Sequence, residues 1–138
     1  MWLTALVLLN VGCSAKRPPV YPVKGQVFFK KTQPAAGAFV VFHAQSPAVA
    51  DAAAARPFAY VQEDGSFRLT TYAEGDGAPV GEYGVTIVWE SAPRSSGPRI
   101  REGNSGPDRL GGRYGDPQHP RLQATVQKGD TSLRFDVE

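Results

Sequence analysis

One cysteine, Cys13, stands in 138 residues. A single thiol excludes a disulfide within the chain and any metal site built from several thiolates. Histidine is nearly as scarce. His43 and His119 are the only two, and neither lies in a His-x-x-Glu or His-Glu-x-x-His spacing, so the zinc centre of a metallopeptidase has no ligand set here. No Gly-x-Ser-x-Gly elbow occurs, which removes the usual support for a Ser-His-Asp nucleophile. Neither charge sign dominates: the net charge of +2 is too small to argue for a nucleic-acid partner. Long apolar runs are missing too. The opening stretch WLTALVLL, residues 2–9, would span about 12 Å as a helix against about 30 Å of bilayer hydrocarbon. It is too short to cross a membrane and has the length of a signal-peptide core.

What is abundant is turn chemistry and β-forming residues. Gly 15 and Pro 12 are high for this length, and Val, Phe, Tyr and Thr come in short runs, the composition of strands joined by turns. A chain this long can bury roughly two thirds of its unfolded surface in one core. From Val20 onward the period is two. In VYPVKGQVFFK, Tyr21, Val23, Val27 and Phe29 share a face, opposite Lys24, Gln26 and Lys30. AFVVFH (38–43) is apolar on both faces, as a central strand is. PFAYVQ and SFRLTT flank EDG, a hairpin signal with Gly65 at the turn. GEYGVTIVWE points Tyr83, Val85, Ile87 and Trp89 inward and Glu82, Thr86 and Glu90 outward. RLQATVQ aligns Leu122, Ala124 and Val126, and SLRFDVE aligns Leu133, Phe135 and Val137. About seven strands separated by turns predict an all-β sandwich. Two stretches break the pattern: residues 46–57 predict a helical turn ended by Pro57, and residues 91–112 a long exposed loop.

The apolar opening ends in NVGC, followed by the polar, Pro-rich tether CSAKRPPVYP. Gly12 and Cys13 resemble the lipobox of bacterial lipoproteins, in which a small residue precedes an acylated cysteine. Asn10 stands where that motif has leucine, with Leu9 one position earlier, and no Lys or Arg precedes Lys16, which points to a start upstream of Met1. The open alternative is a secretory leader with an incidental thiol. On the lipobox reading, residues 1–13 are a signal peptide ending at the modified Cys13, 14–19 a flexible tether and 20–138 the sandwich domain. One acyl chain holds marginally and two or three hold firmly, so Cys13 would be an anchor rather than a nucleophile.

Three segments in order, VKGQVFFKKTQPAAGAFVVFHA, RPFAYVQEDGSFRLTTYAEGDGAPVGEYGVTIVW and GRYGDPQHPRLQATVQKGDTSLRFDVE, resemble the carboxypeptidase regulatory-like, transthyretin-like domain of small bacterial envelope lipoproteins. The resemblance implies a seven-stranded transthyretin-like (prealbumin-like) β-sandwich with Greek-key connections and no enzymatic activity. On the residues themselves, Gly25 and Gly37 bracket the first strand crossing, where a missing side chain permits a turn or a close approach. Gly81 and Tyr83 turn the chain into its central strand and plug the core, and Tyr114 plugs the other end. The C-terminal Tyr-Arg-Gly-Ser signature of the transthyretin-like hydroxyisourate hydrolases has no counterpart, since the chain ends RFDVE.

Two further clusters favour a structural reading. Asp64, Glu74 and Asp76 lie beside glycines as turn formers do, and follow no EF-hand spacing for calcium. Arg94, Arg99, Arg101, Arg109 and Arg113 lie in a loop diluted by Glu102 and Asp108, with no aromatic residues interleaved. The sequence therefore predicts an exported, lipid-anchored module with no cofactor and no metal. Its expected partners are the membrane, through the anchor, and an envelope protein or polysaccharide, at the outer membrane's periplasmic side in a Gram-negative cell. The alternative function is a carbohydrate-binding module, which needs an exposed platform of coplanar aromatic rings. Most aromatics fall on expected inward positions, with Phe28, Tyr72 and Trp2 as exceptions. Oligomeric state is left open.

Overall fold

The computed structural model describes residues 17–45, 56–91 and 106–138, and every regular element in them is a strand. In chain order these are β1 (Val20–Tyr21), β2 (Val23–Phe29), β3 (Gln33–Pro34), β4 (Phe39–Ala44), β5 (Phe58–Tyr60), β6 (Ser66–Arg68), β7 (Ala78–Pro79), β8 (Gly81–Val88), β9 (Leu122–Val126) and β10 (Thr131–Val137). No helix among them is long and apolar enough to cross a membrane. Residues 46–55 of the expected helical turn and most of the 91–112 loop lie outside the described residues, and Arg56 and Pro57 are irregular.

Two four-stranded sheets share one core. The first has β2 at its centre, with β10 parallel to it on one side and β3 and β6 antiparallel on the other. The second runs β5-β4-β8-β9, all antiparallel. β1 and β7 form a separate short pair. The expected first strand is broken at Pro22, whose missing N–H cannot join a ladder.

Alternation decides which residues meet between the sheets. Val23 and Val27 of β2 with Phe135 and Val137 of β10 face Val40 and Phe42 of β4 and Tyr83, Val85 and Ile87 of β8, all at least nine-tenths buried. Phe42 lies between Tyr83, at 5.5 Å, and Phe135, at 6.5 Å between ring centroids. The described residues form an all-β sandwich.

The hairpin at Gly65 forms as the sequence predicts. Gly65 has a left-handed φ of 88°, its N–H donates to the Gln62 carbonyl, and the Gln62 N–H donates to the Ser66 carbonyl. Its two arms nevertheless serve different sheets: β5 pairs with β4, and β6 pairs with β2. The hairpin thus stitches the sandwich along one side.

Gly25 sits in the middle of β2, opposite Leu133 on one side and Phe67 on the other. A Cβ there would come within 2.5 Å of the Phe67 ring and 2.9 Å of the Leu133 carbonyl oxygen. Phe67 occupies that space and stacks on Phe135, with 8° between the ring planes.

Candidate functional site

The outer face of the β5-β4-β8-β9 sheet carries a group of aromatic rings. Phe39 on β4 is directly opposite Tyr60 on β5, and Val41 is opposite Phe58. The Phe39 and Tyr60 rings lie 4.9 Å apart and tilt by 36°, and Phe39 and Phe58 lie 6.0 Å apart and tilt by 46°. Tyr60 is 65% exposed and Phe58 37% exposed, while Phe39 is half-buried beside them. The tilts make this a curved ridge rather than a flat platform. Its position follows from Ala59 and Val61, which turn inward at 4% exposure and so send Phe58 and Tyr60 to the outside.

This is a correction to the expected placement of the aromatics. AFVVFH is apolar on both faces, so periodicity alone cannot orient Phe39, and in FAY the two aromatics flank one alanine. The signal that could have oriented FAY is the hairpin register, because pairing of Gln62 with Ser66 forces Ala59 and Val61 inward. Conversely, Phe28 is half-buried under the Arg134 guanidinium, 4.6 Å from its ring, and Tyr72 is half-buried with its hydroxyl in the interior.

Next along the same outer face, His43 Nε2 and Thr86 Oγ1 are 2.9 Å apart. Thr86, expected outward and exposed, is 6% exposed. Two residues away, Gly84 is covered by Pro120, which precedes β9, and by Gln45. Burial, and then the nearby positive charge of Arg56, lower the pKa of His43 below its ordinary value. The neutral imidazole is therefore favoured. His119 bonds Asp116 at 3.0 Å in an exposed turn. Among the described residues no three His, Cys, Asp or Glu side chains converge as a metal ion requires.

The remaining positions singled out in the sequence are distributed through the framework. Gly37 lies in the turn before β4 and donates its N–H to the Val61 carbonyl. Gly81 opens β8 opposite Val126. Tyr83 is wholly buried and its hydroxyl donates to the Pro79 carbonyl at 2.7 Å; burial, and then Tyr72, push its phenol up to about 12. Tyr114 accepts the Ile87 N–H on its carbonyl and the Glu138 N–H on its hydroxyl. Cys13 lies outside the described residues.

The acidic turns are occupied by their own backbone. Asp76 accepts the N–H groups of Thr71, Tyr72 and Ala73. Burial alone would raise its pKa, and those amides outweigh burial and hold it below the ordinary carboxylate range. Asp64 bonds the Ser66 hydroxyl and N–H, which lower its pKa. In the arginine-rich segment, Arg109 stacks its guanidinium 4.6 Å over the Trp89 ring, an aromatic partner its own loop does not contain. Arg113 reaches the Glu138 carbonyl at 3.4 Å, and Arg94, Arg99 and Arg101 lie outside the described residues.

The fold and these features define the class, an all-β sandwich with an aromatic ridge on one outer face. Comparison with models of known families, with curated proteins and with solved structures finds no match to the chain.

Proposed function

We propose that the chain is a non-enzymatic binding module of the cell envelope, exported and held at the membrane by a lipid on Cys13, with the Phe39–Phe58–Tyr60 ridge as its binding surface. The observation that carries the binding role is the exposure of Phe58 and Tyr60 on an outer sheet face, against the cost of leaving large apolar rings in water. The tether rests on LLNVGC and the Pro-rich segment after it. Anchoring would raise the local concentration of the module at the membrane. We assign the finer fold to the transthyretin-like type. Seven strands of three residues or more, three in the β2-centred sheet and four in the other, support that assignment.

Carbohydrate is the second reading of this surface; it rests on the exposure of Phe58 and Tyr60, while ring tilts of 36° and 46° give no flat platform. Tyr60 is the most exposed of the rings, with its centroid 4.9 Å from that of Phe39, which lies beside the half-buried Val41 and Val88. A pyranose has an apolar C–H face that packs on such rings, while the Tyr60 hydroxyl adds a polar handle.

Two measurements test the proposal. The first is the mass of the mature N-terminus made with its native leader, beside Cys13→Ser: a diacylglyceryl adduct lost in the serine variant is expected, and a free thiol overturns the tether. The second is titration of the full chain with neutral glycan oligomers. Binding should weaken by about tenfold or more in Tyr60→Ala, roughly the loss of one well-packed aromatic contact. Unchanged affinity in that variant removes the ridge as the surface.

A further inference from the structure

The other sheet carries an unusual pair on its outer face. Lys24 on β2 and Arg68 on β6 are directly opposite one another in an antiparallel ladder, both exposed, and like charges at such positions repel. Among the described residues neither forms an ion pair. Arg134, two positions from Ser132 on the neighbouring β10, shows the contrast. It pairs with Asp136 at 3.2 Å, donates to the Lys31 carbonyl and covers the Phe28 ring.

Lys24 and Arg68 also mark where two hollows meet. One, of about 500 Å³, runs over the sheet and is lined by Gln26, Gln62, Ser66 and Ser132. The other, of about 170 Å³, lies at the sheet's end beside Gly75, Asp130 and Thr131. Both include Lys24 and Arg68 in their walls. The larger one thus joins two cations lacking ionic partners to amide and hydroxyl side chains that both donate and accept. Among the described residues Asp130 is the one carboxylate on either lining, and it stands in the smaller hollow with Lys24 and Arg68.

From this we infer a second binding site, on the outer face of the β10-β2-β6 sheet, for an acidic saccharide: a sugar whose carboxylate sits between Lys24 and Arg68 and whose hydroxyls bond Gln26, Gln62 and Ser132. A planar guanidinium matches a carboxylate by two parallel hydrogen bonds, and the Lys24 ammonium adds a second positive charge. An anion between the two cations replaces their repulsion with two attractions. The neutral amides and hydroxyls fit ring hydroxyls, which a bare electrostatic patch would not need. The site stands on a different sheet from the aromatic ridge, and its argument does not depend on the ridge.

The test is an NMR titration of the full chain at about 100 mM salt, where the screening length is about 10 Å, so that distant charges contribute little. The probes are trigalacturonate and the neutral maltotriose. Trigalacturonate should shift the amides of Lys24, Gln26, Arg68 and Ser132, and maltotriose should leave them unmoved. Arg68→Gln and Lys24→Gln should each weaken trigalacturonate by about tenfold, the loss of a charge-assisted contact. Arg121→Gln removes the same charge at an exposed position outside both hollows and should change affinity by less than about twofold. Asp130→Asn should tighten binding. No shift of these amides at about 10 mM trigalacturonate overturns the site, since a weaker contact has no specific free energy to speak of. An equal loss in Arg121→Gln overturns it too, by showing diffuse charge attraction. All four charge variants lie on exposed positions, so a folded protein is expected in each.

Discussion

Two cross-strand pairs at equivalent positions distinguish the outer faces of this sandwich. Phe39 and Tyr60 face each other across β4 and β5, and Lys24 and Arg68 face each other across β2 and β6. The first pair attracts, with ring centroids 4.9 Å apart. The second repels, and no carboxylate among the described residues pairs with either cation. Sheet pairing itself asks for neither arrangement, because the backbone ladder is the same under both. One face leaves apolar area in water and the other leaves charge uncompensated. The repulsion lowers stability and the aromatic contact does not, yet both the uncompensated charge and the exposed apolar area are what a ligand would cover.

The largest effect that would sharpen the contrast lies beneath the cationic face. Gly25→Val places side-chain atoms where the Phe67 ring and the Leu133 carbonyl already sit. A loss of about 1–3 kcal/mol or more is expected from overpacking in denaturant unfolding. Because β2 is the centre of its sheet, the Lys24–Arg68 geometry would go with it. Full stability in this variant would mean that Phe67 can swing aside, contrary to the packed arrangement.

Next in size is the aromatic pair. A double-mutant cycle on Phe39→Ala and Tyr60→Ala should give a coupling of about 0.5–1.5 kcal/mol, favourable. A coupling near zero would make the ridge two independent rings.

The cationic pair should respond with the opposite sign. Arg68→Glu converts repulsion into attraction and should raise stability by about 0.2–1 kcal/mol while abolishing trigalacturonate binding. A variant that is more stable and no longer binds separates function from folding. If Arg68→Glu destabilised the fold, the cation pair would have a structural role after all.

The smallest effect is a pH dependence specific to the aromatic sheet. His43 has a lowered pKa in the folded chain, so the unfolded chain binds its proton first as pH falls. Stability is therefore fully present above the unfolded value of about 6.5 and is lost as pH drops through the folded one. Thermal scans between about pH 7.5 and 5 should show this loss in the wild type and not in His43→Gln. Asp76, also with a lowered pKa, acts later: its contribution is present above the ordinary carboxylate value and disappears only in stronger acid.

Much of the framework was legible in the sequence because it rests on local rules. Alternation in GEYGVTIVW put Tyr83, Val85, Ile87 and Trp89 inside, and all four are buried. EDG between two strand-like runs placed the hairpin, because glycine takes the left-handed φ that its turn needs. Other features were hidden. Thr86 alternates outward yet is buried, with His43 against its hydroxyl and, two residues away, Pro120 from more than thirty residues later covering Gly84. Gly77 carries no local signal although it is the most confined of the glycines compared among the described residues: with φ at 106°, its Cβ would run into the Tyr21 carbonyl, beside the β1–β7 pair. The aromatic ridge was hidden for a simpler reason, since FAY alternates equally well with either face inward.

The amino-acid sequence by itself determined that this chain is built of strands, where most of them turn, and which side of β2, β8, β9 and β10 is apolar. Those properties depend on a residue and its near neighbours, through φ preference and a period of two. Only the tertiary structure decided that β10 runs parallel to β2, that the two arms of one hairpin join different sheets, and which residues of β4 and β5 face water. Lys24 and Arg68 are 44 positions apart and meet only because β6 crosses to the sheet of β2. Such meetings depend on how two sheets bury a common core, and no local pattern encodes which distant strand will be the neighbour.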